Sequence, residues 1–165
     1  DGSKGNELWE LLWEAGQDFN ISAGGPNIIL RLEGGILSYL ADIDRSNNPY
    51  EVGLDWLVDL DQEDDFIGKE ALRLIRQNGP TKKLLGAEIH GDPIEDSNAD
   101  HWPVFIDGKE VGSMNAMAYS PRLDKNICYT ILDIEHAKSG QEIVIASPEK
   151  DLIATTVDLP WHYRT

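Results

Sequence analysis

Two short stretches of the chain carry polar side chains that could hold a small ligand. They supply two arginines, two acids, two phenols and a hydroxyl: Arg31, Glu33, Tyr39 and Glu51, then Tyr119, Ser120 and Arg122. An arginine guanidinium binds a carboxylate through two parallel hydrogen bonds, so Arg31 is a candidate for holding an anionic ligand. The alternative is that Arg31 pairs with Glu33 or Glu51 and only stabilises the fold.

No motif in the sequence is sufficient for catalysis by itself. The chain lacks a phosphate-binding glycine loop, a paired-histidine metal helix and a nucleophile elbow. Its four histidines stand far apart, and structural zinc needs four close ligands, so we expect no metal site. The segment at Ser120, Pro121 and Arg122 also suits a tight turn. No catalytic residue can therefore be named from these patterns.

The element that must position Arg31 is a short helix with marked ends. Pro26 suits its first position, because the missing N–H would have no partner there. Gly34 and Gly35 suit its exit, where a left-handed residue is wanted. The apolar residues at helical spacing share one face, which leaves Arg31 and Glu33 directed elsewhere: Ile28, Ile29 and Leu32.

A longer helix precedes this element. Residues 7–19 are amphipathic, with Asn6 as a candidate N-cap and with Trp9 and Trp13 placed four residues apart, so that their rings touch. The pair could line a ligand pocket, but packing against a sheet is the favoured interpretation. The apolar stripe of this helix contains Leu8, Leu11, Leu12, Ala15 and Phe19.

The pattern then changes from helical to strand period. Residues 54–60 partly alternate and predict a strand, and residues 68–77 predict a helix with Lys69 facing outward. Asn78, Gly79 and Pro80 end that helix and mark the expected domain boundary. At least six short strands follow, with a two-residue hairpin at Asp107 and Gly108. Their spacing predicts a small antiparallel barrel or sandwich.

Charge and cysteine content restrict the partners and the compartment. Thirty acidic residues against fourteen basic ones give a formal net charge of −16. Such a surface repels nucleic-acid phosphates and anionic membranes, so neither is an expected partner. The single cysteine, Cys128, lies in a strand-like run and is expected to be a buried apolar side chain rather than a reactive thiol. A reducing, cytoplasmic location is the expectation.

Several motifs, taken in order, resemble the second half of the glycine-cleavage aminomethyltransferase (T-protein) family. The resemblance covers nearly the whole chain, and within the family it is strongest to the dimethylsulfoniopropionate demethylases. It rests on residues 31–39 (RLEGGILSY), 48–56 (NPYEVGLDW), 66–72 (FIGKEAL), 103–104 (PV), 107–112 (DGKEVG), 119–123 (YSPRL), 139–141 (SGQ) and 159–161 (LPW). The aminomethyltransferases usually carry Ala-Arg-Asp before the helix and Tyr-Gly after it, where this chain has Pro26-Asn27 and Ser38-Tyr39-Leu40.

The resemblance implies an α+β chain in two parts. Residues 1–80 would be the remainder of a folate-binding α/β domain, and residues 81–165 a small antiparallel β-barrel domain. In the family the arginine that matches Arg31 contacts the folate, so Arg31 would bind tetrahydrofolate. Glu33 and Tyr39 are further candidates for binding the cofactor, and Tyr119, Ser120 and Arg122 are candidates for binding the methyl donor. The family's other substrate contacts lie in its first half, so the catalytic residues stay unknown here.

The implied activity is methyl transfer to tetrahydrofolate, with dimethylsulfoniopropionate as the expected donor. A glycine-cleavage aminomethyltransferase and a non-catalytic barrel module used for subunit contact are the alternatives. Because the family's proteins are longer, we expect this chain to be a fragment that is inactive alone. Its expected partners are the first half of the same enzyme and a small-molecule methyl donor, with a homodimer left open.

Overall fold

The computed structural model describes residues 2–24, 27–95, 97 and 100–161. Within these residues the chain forms a helical first part and a barrel of six strands. The helices are α1 (Gly5–Gly16), α2 (Ile28–Glu33) and α3 (Lys69–Asn78), and the strands are β1 (Lys82–Ile89), β2 (Trp102–Ile106), β3 (Lys109–Ser120), β4 (Lys125–Asp133), β5 (Glu142–Ala146) and β6 (Asp151–Val157).

The six strands form a closed antiparallel barrel. Their order around the barrel is β1, β4, β3, β2, β5 and β6, and the sheet closes because β6 pairs with β1. Asp107 and Gly108 both have positive φ, 50° and 78°, as the hairpin joining β2 to β3 requires. Closure leaves no free strand edge. The predicted barrel and hairpin are confirmed, and the sandwich alternative is wrong.

Apolar side chains from all six strands fill the barrel. Burial alternates along β5, where Ile143 and Ile145 are fully buried and Val144 between them is partly exposed. Cys128 is also fully buried, and this burial raises the pKa of its thiol to about 12. The core cluster includes Leu85, Val104, Val111, Met114, Leu132 and Ala154.

Helix α2 packs on the outside of the barrel, against β3 and β4. Asn27 caps its N-terminus, where the side-chain oxygen accepts a hydrogen bond from the backbone N–H of Leu30 at 3.1 Å. Gly35, with φ of 68°, takes the left-handed position after the helix. Leu32 is fully buried in a second apolar cluster shared with the barrel. The glycine exit is confirmed, while Gly25 and Pro26 lie outside the described residues.

Helix α1 forms as the periodicity predicts, but its apolar stripe faces solvent. Leu8, Leu11 and Leu12 are each more than half exposed. The rings of Trp9 and Trp13 stack with centroids 6.0 Å apart, so the predicted contact is confirmed. Both rings are exposed, however, and the predicted packing against a sheet is wrong. The predicted cap is also wrong, because the helix begins before Asn6 and no side chain caps it.

Two further predictions before the barrel are corrected by the structure. Residues 55–57 form a turn of 3₁₀-helix instead of a strand, since no described neighbour offers them a ladder of backbone hydrogen bonds. Helix α3 is confirmed, but Lys69 is buried. Its ammonium group donates to the carbonyls of Gln62 and Asp64 at 2.7 and 3.0 Å, which satisfies the charge inside the loop. The domain boundary near residue 80 stays a prediction.

Candidate functional site

The site is built around Arg31, which α2 presents on the side facing the turn at residues 38–43. Its Nη1 atom pairs with the carboxylate of Asp42. The same carboxylate oxygen accepts the backbone N–H of Ser38 at 2.6 Å. The Asp42 side chain is fully buried, so this charge is neutralised inside the fold rather than by water. The sequence alternatives for the partner of Arg31, Glu33 and Glu51, are both wrong.

Part of the Arg31 guanidinium remains available. Its side chain is 17% exposed. Within the described part of the chain, its Nε and Nη2 atoms make no hydrogen bond, and neither is sealed from solvent. An arginine keeps its charge at any physiological pH. The structure therefore leaves a fixed cation with two nitrogen donors that a carboxylate ligand could use.

Glu33 joins the two polar stretches that the sequence singled out. Its carboxylate is buried and accepts the hydroxyl hydrogen of Ser120 at 2.5 Å. Its other oxygen lies 3.2 Å from Nε of Arg122. The Ser120 hydroxyl in turn accepts the backbone N–H of Leu123 at 3.1 Å, within the predicted turn after β3. These bonds connect the end of α2 to the end of β3.

The barrel also holds the backbone of α2 at a second place. The phenol of Tyr129, a fully buried side chain of β4, donates to the carbonyls of Arg31 and Leu32, each at 3.2 Å. These carbonyls belong to the last turn of the helix, where backbone acceptors lack partners within the helix. The last turn of the helix that carries Arg31 is therefore fixed to the barrel at Arg31 and Leu32 as well as at Glu33.

The remaining candidates have partners of their own. Tyr39 is more than half exposed, and its backbone pairs with Ile43 in a single bridge. Tyr119 donates to Asp124 at 2.7 Å, and this hydrogen bond raises the pKa of the phenol. Glu51 is buried and accepts the hydroxyl of Thr81 at 3.0 Å. The ligand-binding roles assigned to Tyr39 and Tyr119 stay predictions.

Two clefts lie beside this assembly. A polar one of about 290 Å³ is lined by residues of the 38–47 segment and of β3, including Asp42 and Asn115. A larger one of about 520 Å³ opens at the exit of α2, where Gly35, Tyr50 and Trp56 contribute to its wall. The larger volume lies in the range of small-molecule sites. No group of three or more metal-ligating side chains occurs among the described residues.

Asp42 is the site residue that sequence reasoning missed. It stands in the run of residues 42–49, whose polar, turn-rich composition predicts a surface loop. A lone acid eleven residues after Arg31 carries no signal of pairing, because the pairing depends on how the turn folds back onto the helix.

Within the described residues, no helix is long and apolar enough to cross a membrane.

Two family models match consecutive parts of the chain. The model described as the GCVT N-terminal domain matches residues 1–62, and the model described as the glycine cleavage T-protein C-terminal barrel domain matches residues 82–162. The matched barrel segment contains all six strands of the closed sheet.

Curated relatives agree with these models. The dimethylsulfoniopropionate demethylase DmdA of Ruegeria pomeroyi is 36% identical over 152 residues, which are 90% of this chain and 40% of the relative. The aminomethyltransferase of Herpetosiphon aurantiacus is 37% identical over 155 residues, which are 94% of this chain and 42% of the relative. The aminomethyltransferase of Symbiobacterium thermophilum is 34% identical, covering 94% and 41%. The chain thus spans about two fifths of the length of these relatives.

A solved structure shows the same fold. The glycine cleavage system aminomethyltransferase T from Bartonella henselae superimposes with a TM-score of 0.72 at 20% sequence identity. The superposition covers 82% of this chain and 37% of that protein.

Proposed function

Because the chain belongs to the glycine cleavage T-protein family, we propose that it supplies the folate-binding helix and the C-terminal barrel of a tetrahydrofolate-dependent methyltransferase. The proposed reaction transfers a methyl group from dimethylsulfoniopropionate, giving methylthiopropionate and 5-methyltetrahydrofolate. Tetrahydrofolate, when bound, supplies the N5 amine that accepts the methyl group. The chain spans about two fifths of its relatives, so the activity is proposed for the longer protein.

The observation that carries this proposal is the fixed, partly free guanidinium of Arg31. Tetrahydrofolate has a glutamyl tail, whose carboxylates fit a planar cationic fork. The Asp42 carboxylate holds one edge of that fork, and the other nitrogens reach solvent. A guanidinium that is already oriented loses little freedom on binding, which favours affinity. We therefore propose Arg31 as the contact of the folate carboxylate, with Glu33 and Tyr39 in the same cofactor region.

The methyl donor is proposed to contact the end of β3. Tyr119, Ser120 and Arg122 stand there, and Ser120 and Arg122 are joined to Glu33 at the end of α2. That junction brings the proposed donor residues next to the folate helix, as transfer between two bound molecules requires. The hydrogen bond to Asp124 raises the pKa of the Tyr119 phenol further above its ordinary value, and the ring of Tyr119 can present an aromatic face to a cationic sulfonium.

Two donors are supported by different observations. Pro26-Asn27 and Ser38-Tyr39-Leu40 replace the usual aminomethyltransferase residues around α2, and a demethylase relative is 36% identical. These facts favour dimethylsulfoniopropionate. A glycine-cleavage aminomethyl donor is favoured by the 37% identity to the Herpetosiphon aminomethyltransferase. Both transfers use a folate acceptor, so the role proposed for Arg31 is the same in either case.

The exposed face of α1 supports a partner within the same protein. Leu8, Leu11, Leu12 and Trp9 are each more than half exposed, and contiguous apolar patches of this kind usually mark interfaces. The relatives contain more than twice the length of this chain. We propose that the first half of the enzyme covers this face. A non-catalytic contact module would need such a face as well. A measurement of enzyme activity in the longer protein distinguishes that alternative from the proposed methyltransferase.

An assay of the longer protein tests the proposal. With tetrahydrofolate and dimethylsulfoniopropionate it should form 5-methyltetrahydrofolate, measured by chromatography, and it should form less product with a glycine-cleavage aminomethyl donor. The 165-residue chain, assayed in parallel, should give none. Turnover by the 165-residue chain at ordinary enzymatic rates would contradict the proposal that the activity needs the longer protein. If the longer protein forms no product from either donor, the proposal that it is a methyltransferase is wrong.

A further inference from the structure

A β-bulge in β3 lies directly behind the Arg31 site. Along β3, Met114 pairs with Thr130 of β4 and Ala116 pairs with Tyr129, so Asn115 is an extra residue without a partner on β4. Bulges of this kind turn one side chain away from the regular alternation of the strand. Asn115 is almost fully buried. A buried amide forms its hydrogen bonds inside the protein, so the partners of Asn115 indicate which part of the structure the bulge supports.

The amide of Asn115 bonds to the residue that holds Arg31. Its Nδ2 atom donates to the backbone carbonyl of Asp42 at 2.7 Å, across 73 positions of sequence. Its Oδ1 atom accepts the hydroxyl hydrogen of Ser113 at 3.0 Å, which fixes the orientation of the amide. Asp42 then uses its carboxylate to bind Arg31. A continuous path of hydrogen bonds therefore runs from the barrel strand to the guanidinium.

The turn that carries Asp42 depends on outside support. Leu40 has φ of 72°, in the left-handed region that a leucine rarely adopts. Asp42 N–H donates to the carbonyl of Ser38 at 2.9 Å, and Leu40 N–H donates to Ile43 at 2.7 Å. A strained turn persists when its surroundings hold it in place. Among the described residues, the hydrogen bond from Asn115 is the one that ties Asp42 itself to the barrel.

We propose that Asn115 is a positioning residue for folate binding: it fixes Asp42 and thereby sets the direction of the Arg31 guanidinium. This inference rests on the proposed function, because it takes Arg31 as the contact of a folate carboxylate. Asn115 touches neither substrate in this proposal and acts through Asp42. The bulge would then be the feature of the barrel that serves the site on the helix, in addition to packing.

The test uses the full-length protein and calorimetric titration with tetrahydrofolate. Asn115→Ala should raise the dissociation constant about twofold to tenfold, the effect of losing one buried hydrogen bond. Asn126→Ala is the matched control. Asn126 is also a buried amide, on β4, and bonds to backbone groups of Asp92 and Ile94 at 2.9 and 2.8 Å, away from Arg31. Asn126→Ala should lower the melting temperature about as much as Asn115→Ala does and leave folate affinity unchanged.

A double-mutant cycle separates positioning from general damage. If Asn115 acts through Arg31, Asn115→Ala should weaken folate binding in the wild-type background and have no further effect beside Arg31→Ala. Full additivity of the two substitutions, or wild-type affinity of the folded Asn115→Ala protein, overturns the inference.

The same titrations show which of the two proposals fails. Wild-type protein that does not bind tetrahydrofolate, or Arg31→Ala protein that binds it normally, contradicts the proposed function and with it the positioning role. Normal wild-type binding and weakened Arg31→Ala binding, combined with an unaffected Asn115→Ala protein, contradict the positioning role alone.

Discussion

The barrel and the helical part before it differ in how completely they bury their apolar side chains. In the barrel, Ile134 and Ile153 are the large apolar residues that remain exposed among the described residues. Before residue 80 the exposed set is much larger and includes most of the α1 stripe, Trp56 and Ile67. A sheet that closes on itself makes its own core, whereas an amphipathic helix needs a second surface. The barrel therefore buries its apolar side chains without a partner, whereas the helical part leaves an apolar surface that a partner could cover.

Paired leucine substitutions should give the largest contrast between the two regions. Leu132 is fully buried in the barrel, and Leu12 is 59% exposed on α1. In the 165-residue chain, Leu132→Ala should cost about 2–5 kcal/mol and Leu12→Ala less than about 0.5 kcal/mol, as measured by urea denaturation. In the full-length protein, Leu12→Ala should become clearly destabilising. A Leu12→Ala cost that stays negligible there would show that α1 is not covered.

Two glycine substitutions sharpen the comparison at a smaller scale. A Cβ atom at Gly112 of β3 would lie 2.0 Å from the carbonyl oxygen of Ile131 on β4, whereas one at Gly53 would meet no atom within 4 Å. Gly112→Ala should therefore cost about 3 kcal/mol through forced separation of the strands. Gly53→Ala should cost about 1–2 kcal/mol, from its φ of 72° alone. Equal melting temperatures for the two variants would contradict the close packing of the barrel.

The buried thiol of Cys128 tests the closure of the barrel without a substitution, and among these predictions it is expected to affect stability least. Burial raises its pKa to about 12, and only the thiolate reacts with aromatic disulfide reagents. At pH 8 the folded chain should react far more slowly than the chain in urea. Because the folded pKa exceeds the unfolded value of about 8.5, the thiol's contribution to stability is complete below that pH and declines above it. Rapid labelling of the folded chain would show that the barrel opens.

The sequence predicts the parts of the fold whose signals are local. Strand spacing predicts a barrel or a sandwich of short antiparallel strands, and the Asp107-Gly108 turn predicts the hairpin, because a hairpin depends on a few neighbouring φ values. The exit of α2 at Gly35 is predictable for the same reason. The strand expected at residues 54–60 was wrong, because a short alternating run forms a strand only when a neighbouring strand can pair with it. The spacing of those residues says nothing about such a neighbour.

The candidate site is less predictable than the fold. Arg31 and Glu33 stand out by residue type, but their partners come from other elements: Asp42 from the turn after α2, and Ser120 from the end of β3. Burial of Lys69 was missed, because its ammonium group is satisfied by two carbonyls of a loop that the sequence describes only as acidic and polar. In each case the deciding contact is a polar one made by a turn, a loop or another segment that folds back onto the residue, and helical or strand periodicity gives no information about such contacts.

Folate titration of Arg31 variants of the full-length protein tests the central claim most directly. Arg31→Ala should weaken tetrahydrofolate binding about tenfold to a hundredfold, the value of a charged hydrogen bond to a carboxylate. Arg31→Lys should recover part of the loss, because lysine has the charge but lacks the planar fork. Thermal melts of the same samples identify the folded fraction, since either substitution also disturbs the buried Asp42 carboxylate. Folate affinity per folded molecule that stays unchanged, beside a lowered melting temperature, would show that Arg31 is structural and contradict the account.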